Sequence, residues 1–265
     1  MTDSPEARKA QLGAQYSALA PGYDPVGSFA RFGHLLVDAV GVESGQRVLD
    51  VASGRGAVLF PAAERVGPDG HAEGIDLAEG MVRATSAEAE QRGIRAWVRV
   101  MDAEQLDFPD ASFDRVLCGF GIMFFPDQLR GLREMRRVLR PGGRVGLSTW
   151  KEHQVQDLLL VIQDLGLGPP HRSTSVDEAD VLAGLLIGAG FIGARVVAET
   201  LPLHYPDLDT YWRVARGSGV RGLIDALDAA QAARVRAALA ERLERYRRPA
   251  GYHVPATALF GTASR

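Results

Sequence analysis

Glycines and carboxylates follow the first three apolar runs of the chain, and their types and spacing suit a nucleoside ligand. The first run leads into the glycine-rich residues 50–56, Asp76 ends the second run, and Asp102 and Ala103 follow the third. Glycines lack a Cβ, so the backbone can lie against a ligand, and the helix that follows presents free N–H groups. Asp76 can accept hydrogen bonds from both hydroxyls of a ribose. Asp102 can accept from the exocyclic amine of adenine, and the N–H of Ala103 can donate to a ring nitrogen.

Each of these features also has a purely structural interpretation. Residues 50–56 can form a glycine-rich turn without a ligand, and Asp76 with Glu79 forms a fair capping box at a helix start. Position 59 is Leu59, where a nicotinamide-cofactor fingerprint would need its third glycine, so that cofactor is disfavoured. Because three successive strand ends carry ligand-type residues, we favour a nucleoside cofactor.

Histidines and aromatic residues follow the later strands. His153 lies just after the predicted fifth strand and His204 just after the sixth. Either one could act as general base if the acceptor must lose a proton, and a solvated surface histidine is the alternative for each. The apolar and aromatic side chains nearby suit a flat hydrophobic acceptor, although ordinary core packing accounts for at least half of them. This acceptor-lining set is Phe120, Met123, Phe124, Trp150, Tyr211 and Trp212.

The elements that must position these residues alternate between strand and helix. The predicted strands are residues 47–52, 71–76, 96–101, 113–118, 144–149, 195–200 and 256–262. The predicted helices are residues 57–66, 77–92, 128–139, 155–165, 177–188, 208–216 and 225–248. Strands separated by helices of this length imply an α/β fold whose parallel sheet is covered by helices on both faces.

The 265 residues are expected to form a single domain. Within it we expect a helical lid (1–42), a cofactor-binding core (43–201), a helical cap (202–252) and a last strand (253–265). One cysteine, Cys118, excludes an intrachain disulfide framework and a cysteine-rich zinc site, and no metal is expected.

Charge and hydropathy limit the partners that we expect. The net charge is −3, and no basic stretch with interleaved aromatic residues occurs, so a nucleic-acid partner is disfavoured. Residues 1–12 do not look like a signal peptide, and the longest charge-free stretch, 249–264, is too short and broken to span a bilayer. We expect a cytoplasmic monomer or homodimer that acts on a small molecule and not on a membrane.

Five motifs together resemble those of class I S-adenosylmethionine-dependent methyltransferases. They are residues 48–56, 74–82, 101–108, 113–118 and 137–143. Their order and spacing are specific, and the resemblance covers roughly residues 11–150. The subgroup that they most resemble is the ubiquinone/menaquinone-biosynthesis-like enzymes, to which bacterial polyketide-tailoring methyltransferases are similar. Ala52 departs from the family pattern, which usually has glycine there.

The resemblance implies a Rossmann-like sheet in the order 3-2-1-4-5-7-6 with an antiparallel last strand. It also implies S-adenosylmethionine as cofactor, with the ribose held by Asp76 and the adenine by Asp102 and Ala103. The methionine part would contact Asp50, Ala52, Ser53, Gly54, Gly56, Cys118 and Gly119. Tyr16 and Tyr23 match a lid over the cofactor, and Leu77 and Met81 of the second motif complete the set.

The implied reaction is methyl transfer to a small, aromatic or polyketide-type acceptor in bacterial secondary metabolism, with O-methylation favoured. Two alternatives stay open within the enzyme class: C- or N-methylation, and a non-methylating reaction such as a cyclisation that uses the same cofactor. A nucleotide-binding regulator without catalysis is a third hypothesis, which the predicted lid and aromatic residues disfavour.

Overall fold

The computed structural model describes residues 4–24, 27–168 and 176–265. Parts of the predicted lid, residues 1–3 and 25–26, lie outside the described residues. The described helices are α1 (Pro5–Leu19), α2 (Ser28–Val40), α3 (Leu59–Val66), α4 (Glu79–Arg92), α5 (Gln128–Val138), α6 (Gln156–Asp164), α7 (Ala179–Gly188), α8 (Leu208–Arg216), α9 (Arg221–Asp225) and α10 (Ala229–Leu243). The strands are β1 (Arg47–Val51), β2 (His71–Asp76), β3 (Ala96–Val100), β4 (Phe113–Gly119), β5 (Leu139–Glu152), β6 (Ile192–Tyr205), β7 (Arg247–Arg248) and β8 (Gly251–Ser264).

One twisted sheet organises the described residues, with long strands in the order β3-β2-β1-β4-β5-β8-β6. Strands β1 to β5 are parallel, and β8 runs antiparallel to both β5 and β6. The short β7 pairs only with the start of β8. Because β8 is the seventh long strand along the chain, the predicted order and the antiparallel last strand are confirmed.

Helices cover both faces of the sheet and bury a separate apolar core on each. On one face, Phe32 and Leu36 of α2 pack with side chains from α3, α6, α8 and α10. On the other, Met135 of α5 and Leu182 of α7 pack against the opposite side of the same strands. Burial on both sides explains why residues 48–51 of β1 are all buried and do not alternate between buried and exposed positions.

The helical cap differs from the single long helix that we predicted over residues 225–248. Asp228 caps α10, its side chain accepting from the N–H of Gln231 while the Gln231 side chain accepts from Asp228. This capping box starts a new helix at Ala229, and the helix ends at Leu243. Residues 247–248 turn back as β7, so the prediction was wrong at both ends. Among the described residues, no helix combines the length and apolarity needed to cross a bilayer.

Strand six also extends beyond its predicted bounds of 195–200. It covers Ile192–Tyr205, because pairing with β8 continues as far as Tyr205 opposite Tyr252. His204 therefore lies within β6 and not in a loop after it. Likewise, residues 141–143 form an irregularity inside β5 and not a turn in front of it.

Candidate active site

A cavity of about 350 Å³ lies at the carboxyl ends of the parallel strands β1 to β4, beneath the lid helix α1. This is the edge at which open α/β sheets bind ligands. Fifteen of the predicted cofactor and acceptor residues line it. They are Tyr16, Tyr23, Asp50, Ala52, Ser53, Gly54, Gly56, Asp76, Leu77, Met81, Asp102, Ala103, Gly119, Phe120 and Phe124.

The loop after β1 has a backbone that most residue types disfavour. Ala52, Gly54 and Gly56 all have positive φ, at 57°, 51° and 79°. A Cβ on Gly56 would lie 2.7 Å from the Phe60 ring, so only glycine fits there. For Ala52 the left-handed conformation is strained, which explains the glycine that is usual in the family pattern. Strain of this kind persists where the surrounding structure fixes the backbone, as it does at binding sites.

Asp50 is a buried acid whose charge has no partner. Its residue is 1% exposed, and neither carboxylate oxygen has a hydrogen-bond partner among the described residues. Ser53 Oγ is also buried and has no hydrogen-bond partner among the described residues. Burial raises the pKa of the Asp50 carboxyl well above its ordinary value, the charge of Asp76 adds to the rise, and the backbone N–H of Leu59 opposes it without forming a hydrogen bond of ordinary geometry. Because an unsatisfied buried polar group costs about 1–3 kcal/mol, these atoms fit a ligand that brings donors or positive charge.

Asp76 joins the end of β2 to the loop after β1. Its Oδ2 accepts from the N–H of Gly54 and its Oδ1 from the N–H of Ala78, both at 2.8 Å. Burial raises the pKa of Asp76, and these N–H groups oppose the rise. The predicted capping box with Glu79 does not form, because Ala78 occupies the N-cap position without a side-chain bond. Each carboxylate oxygen keeps a lone pair, so both remain able to accept from a ribose.

The aromatic residues after β4 and β5 pack mainly on one another. Phe120, in the left-handed region at φ 55°, stacks on Trp150 with ring centroids 4.2 Å apart. Phe29 and Phe32 of α2 close the cluster from the lid side. Only one face of this cluster borders the cavity, through Phe29 and Phe120.

Several predicted residues lie away from the cavity lining. Cys118 is buried in the core on the α5 side, where Met123 and the cavity-lining Phe125 also pack. Trp150 belongs to the aromatic cluster, Tyr211 packs on Tyr205, and Trp212 lies under the Arg236 guanidinium. Trp150, Tyr211 and Trp212 pack into the apolar core that α2, α8 and α10 share. Their predicted contact with an acceptor has no support from this arrangement.

The two predicted catalytic histidines do not line the cavity. His153 lies against Trp150, and its Nδ1 accepts from the N–H of Val155 at 3.1 Å. His204 is exposed, with Nε2 2.8 Å from the carbonyl oxygen of Ala250 and its ring beside His253. His204 does not follow β6 as predicted, because β6 continues to Tyr205. A general-base role for either stays a prediction.

Three further residues at the cavity, Lys9, His34 and Arg55, were not predicted from the sequence as site residues. Lys9 contacts Asp102 from α1, and His34 of α2 lines the cavity. Arg55 lies inside the glycine-rich motif, and its guanidinium donates to the carbonyl of Ala20 in the lid and to Glu88, each at 2.7 Å. Lys9 is isolated in sequence, and only the fold brings it to the third strand.

Comparison with known proteins places residues 48–143 in a family described as a methyltransferase domain. Nocamycin O-methyltransferase of Saccharothrix syringae is 47% identical over 136 residues, which cover 50% of this chain and 49% of that protein. Aklanonic acid methyltransferase of Streptomyces sp. strain C5 is 40% identical over 144 residues, covering 53% and 66%. The chain thus matches about half to two thirds of the length of these curated relatives.

Solved structures share the fold over most of the chain. The YcgJ protein of Bacillus subtilis has a TM-score of 0.58 at 20% identity, covering 89% of this chain and 98% of its own. The cyclase SpnF has a TM-score of 0.57 at 22% identity, covering 89% and 80%. At these identities the likeness concerns the fold.

Proposed function

We propose that the chain, in which residues 48–143 match a methyltransferase domain, binds S-adenosylmethionine in the cavity and transfers a methyl group to a small-molecule acceptor. The observation that carries this proposal is Asp50, a buried acid at the end of β1 with both oxygens unpartnered among the described residues. S-adenosylmethionine is cationic at its sulfonium and its amino group, so it can supply positive charge and hydrogen-bond donors to the Asp50 carboxylate.

The residues around the cavity divide between three parts of the cofactor. Asp76 would accept from the ribose hydroxyls, while Asp102 and the N–H of Ala103 would hold the adenine. Leu77 and Met81 offer apolar contact, and Tyr16 and Tyr23 close the lid side. The methionine part would lie against Asp50, Ala52, Ser53, Gly54, Gly56 and Gly119, with Cys118 buried behind Gly119.

The cofactor supplies an activated methyl group, so the protein's task is to bind, orient and exclude water. Gly119 and Phe120 place the end of β4 beside the methionine part. Burial raises the pKa of Tyr16 and of Tyr23 well above the ordinary value, so both phenols keep their protons and are available to donate to a ligand. An acceptor that is already ionised, such as a carboxylate, would need no base.

For the acceptor we propose an aromatic or polyketide-type molecule that is methylated on oxygen. Two kinds of observation support it. Phe29, Phe120 and Phe124 give the cavity an aromatic wall, and two relatives are named as a nocamycin O-methyltransferase and an aklanonic acid methyltransferase. A cyclisation with the same cofactor is the competing hypothesis, since SpnF shares the fold.

Calorimetry with S-adenosylmethionine and with NAD tests the cofactor. We expect S-adenosylmethionine to bind and NAD to bind negligibly, and tighter binding of NAD would refute the proposal. The matched variants are Asp50→Asn in the cavity and Asp69→Asn, an exposed acid at the opposite end of β2. Only the first should weaken binding.

Transfer of a radiolabelled methyl group to aromatic polyketide acids and enols then tests the reaction. A labelled product that releases labelled methanol in base is a methyl ester. If the label is retained, NMR of the product distinguishes a methyl group on oxygen from one on carbon or nitrogen, and either an ester or an ether identifies O-methylation. If the cofactor binds but an acceptor is rearranged without gaining label, the cyclisation hypothesis replaces methyl transfer.

A further inference from the structure

Lys9 reaches from the lid helix α1 to two acids that follow β3. Its Nζ donates to Asp102 Oδ2 and to Glu104 Oε2, each at 2.7 Å. The Lys9 side chain is 17% exposed and that of Glu104 is 4% exposed. Asp102 is 32% exposed, so solvent screens the pair of Lys9 with Glu104 less than the pair of Lys9 with Asp102.

Glu104 is held by contacts outside the lid. Its Oε1 accepts from the N–H of Asp127 at 2.8 Å, and its carbonyl accepts from Arg130 Nε at 2.9 Å. The N–H of Glu104 donates to Asp102 Oδ1 at 2.9 Å. One oxygen of Asp102 is therefore fixed by the loop after β3, and the other is fixed by Lys9.

Asp102 can still accept a further hydrogen bond while Lys9 is in place. A carboxylate oxygen has two lone pairs, and Lys9 occupies one of those on Oδ2. Without Lys9, the neighbouring charge of Glu104 would repel Asp102, and nothing among the described contacts would fix Oδ2. The lysine thus determines where the free lone pair of Asp102 points.

We propose that Lys9 is a positioning residue: it orients Asp102 toward the adenine amine and so makes closure of α1 part of base recognition. This rests on the proposed function. The remaining lid contacts lie farther along the chain, where Ser17 Oγ accepts from the N–H of Gly80 at 3.1 Å and Ala20 accepts from Arg55. Lys9 ties down the opposite end of the lid, directly at the adenine side of the cavity.

Two nucleosides separate this role from general support of the lid. S-adenosylhomocysteine has an amine at position 6 of the base, whereas S-inosylhomocysteine has a carbonyl there. A correctly oriented Asp102 accepts from the amine and repels the carbonyl. A lid that is only loosened would lose affinity for both molecules equally.

Calorimetry with these two ligands is the test, on the wild-type chain and on Lys9→Met. Lys9→Met should weaken S-adenosylhomocysteine binding about tenfold, as expected for hydrogen bonds to a charged group, and S-inosylhomocysteine binding by less than about threefold. Lys9→Arg keeps the charge and should preserve the preference for adenine. Arg8→Met removes a charge from the next, exposed position and is the control.

Hydrogen exchange of α1 without ligand gives a second measurement. Exchange across the N-terminal half of α1 should increase in Lys9→Met and not in Arg8→Met. If Lys9→Met binds both ligands as the wild type does, or loses both equally, the positioning role is wrong. If the wild type binds neither ligand, the proposed function fails, and the exchange experiment still shows whether Lys9 fastens the lid.

Discussion

The cofactor end of the molecule and its aromatic end differ in how their buried polar groups are satisfied. At the cofactor end, beside β1, Asp50 and Ser53 have no hydrogen-bond partner among the described residues. At the aromatic end, around Phe29, Phe32, Phe120 and Trp150, Ser28 Oγ lies 2.7 Å from Asp24 Oδ1 and 2.9 Å from Gln154 Oε1, so its single proton has an acceptor within reach. Tyr211 Oη, in the core beside Tyr205, also lacks a partner. A missing partner therefore indicates a ligand only where the group also lines the cavity, as Asp50 and Ser53 do.

The contrast also concerns α2, which the aromatic end fastens to the sheet. Asp24 accepts from the N–H groups of Ser28 and Phe29 and so caps the start of α2. The rings of Phe29 and Phe32 then pack on Phe120 and Trp150. Phe120 and Trp150, which we expected to line an acceptor pocket, therefore pack against α2 and hold this helix on the sheet. The four predictions that follow sharpen or break this division.

Phe32→Ala should produce the largest change, and in stability. Phe32 is fully buried and contacts the rings of Phe120, Trp150 and Phe260. Truncating a buried phenylalanine typically costs about 3–5 kcal/mol of unfolding free energy through lost transfer energy and the cavity left behind. Chemical denaturation measures this, with Phe32→Leu as the smaller-loss control. If Phe32→Ala instead weakened cofactor binding and left the unfolding free energy unchanged, the separation of the aromatic end from the cofactor end would be wrong.

Asp76→Ala should act mainly at the cofactor end. We expect S-adenosylmethionine binding to weaken by about 1–3 kcal/mol, because the ribose hydroxyls lose their acceptor and the N–H of Gly54 loses its partner. Titration calorimetry measures the change, and Asp69→Ala at the other end of β2 is the control. Equal affinities for both variants would contradict the assignment of the ribose.

The cofactor end was more predictable from the sequence than the aromatic end. Asp50, Gly54 and Asp76 are placed by the ends of neighbouring parallel strands, so spacing along the chain translates directly into position. The roles of Trp150 and Tyr211 depend on helices α2 and α8, whose docking involves contacts between distant parts of the chain. Lys9 was missed for the same reason, since its partners lie more than ninety positions away.

Asp50→Asn should alter how the stability of the ligand-free protein depends on pH. The folded-state pKa of Asp50 is raised, so its protonation favours the folded state. That contribution is fully present below the unfolded pKa of about 3.9 and is lost as the pH rises through the raised pKa. The wild type should therefore lose stability relative to Asp50→Asn as the pH rises through this range, by at most about 1.4 kcal/mol per pH unit.

Denaturation curves at a series of pH values measure this difference. Calorimetry in buffers of different ionisation enthalpy should also detect proton release when S-adenosylmethionine binds to the wild type, because a cationic ligand favours the ionised Asp50. Identical pH profiles for the wild type and Asp50→Asn would show that Asp50 is satisfied in a way that the cavity does not reveal.

Ala52→Gly should have the smallest effect, and its sign distinguishes strain from packing at the cofactor end. Ala52 has φ 57°, a region that glycine adopts without steric cost. We expect the unfolding free energy to rise by about 0.5–1 kcal/mol, since relief of the strained backbone exceeds the extra entropy of glycine in the unfolded chain. The matched control is Ala63→Gly within α3, where glycine should instead cost about 1 kcal/mol.

Cofactor affinity should stay within about twofold, because the backbone of residues 52–56 already has the conformation that glycine prefers. If Ala52→Gly destabilises the protein as much as Ala63→Gly does, the Ala52 methyl group supports the loop through its packing, and the strained backbone is not a cost that the cofactor end carries.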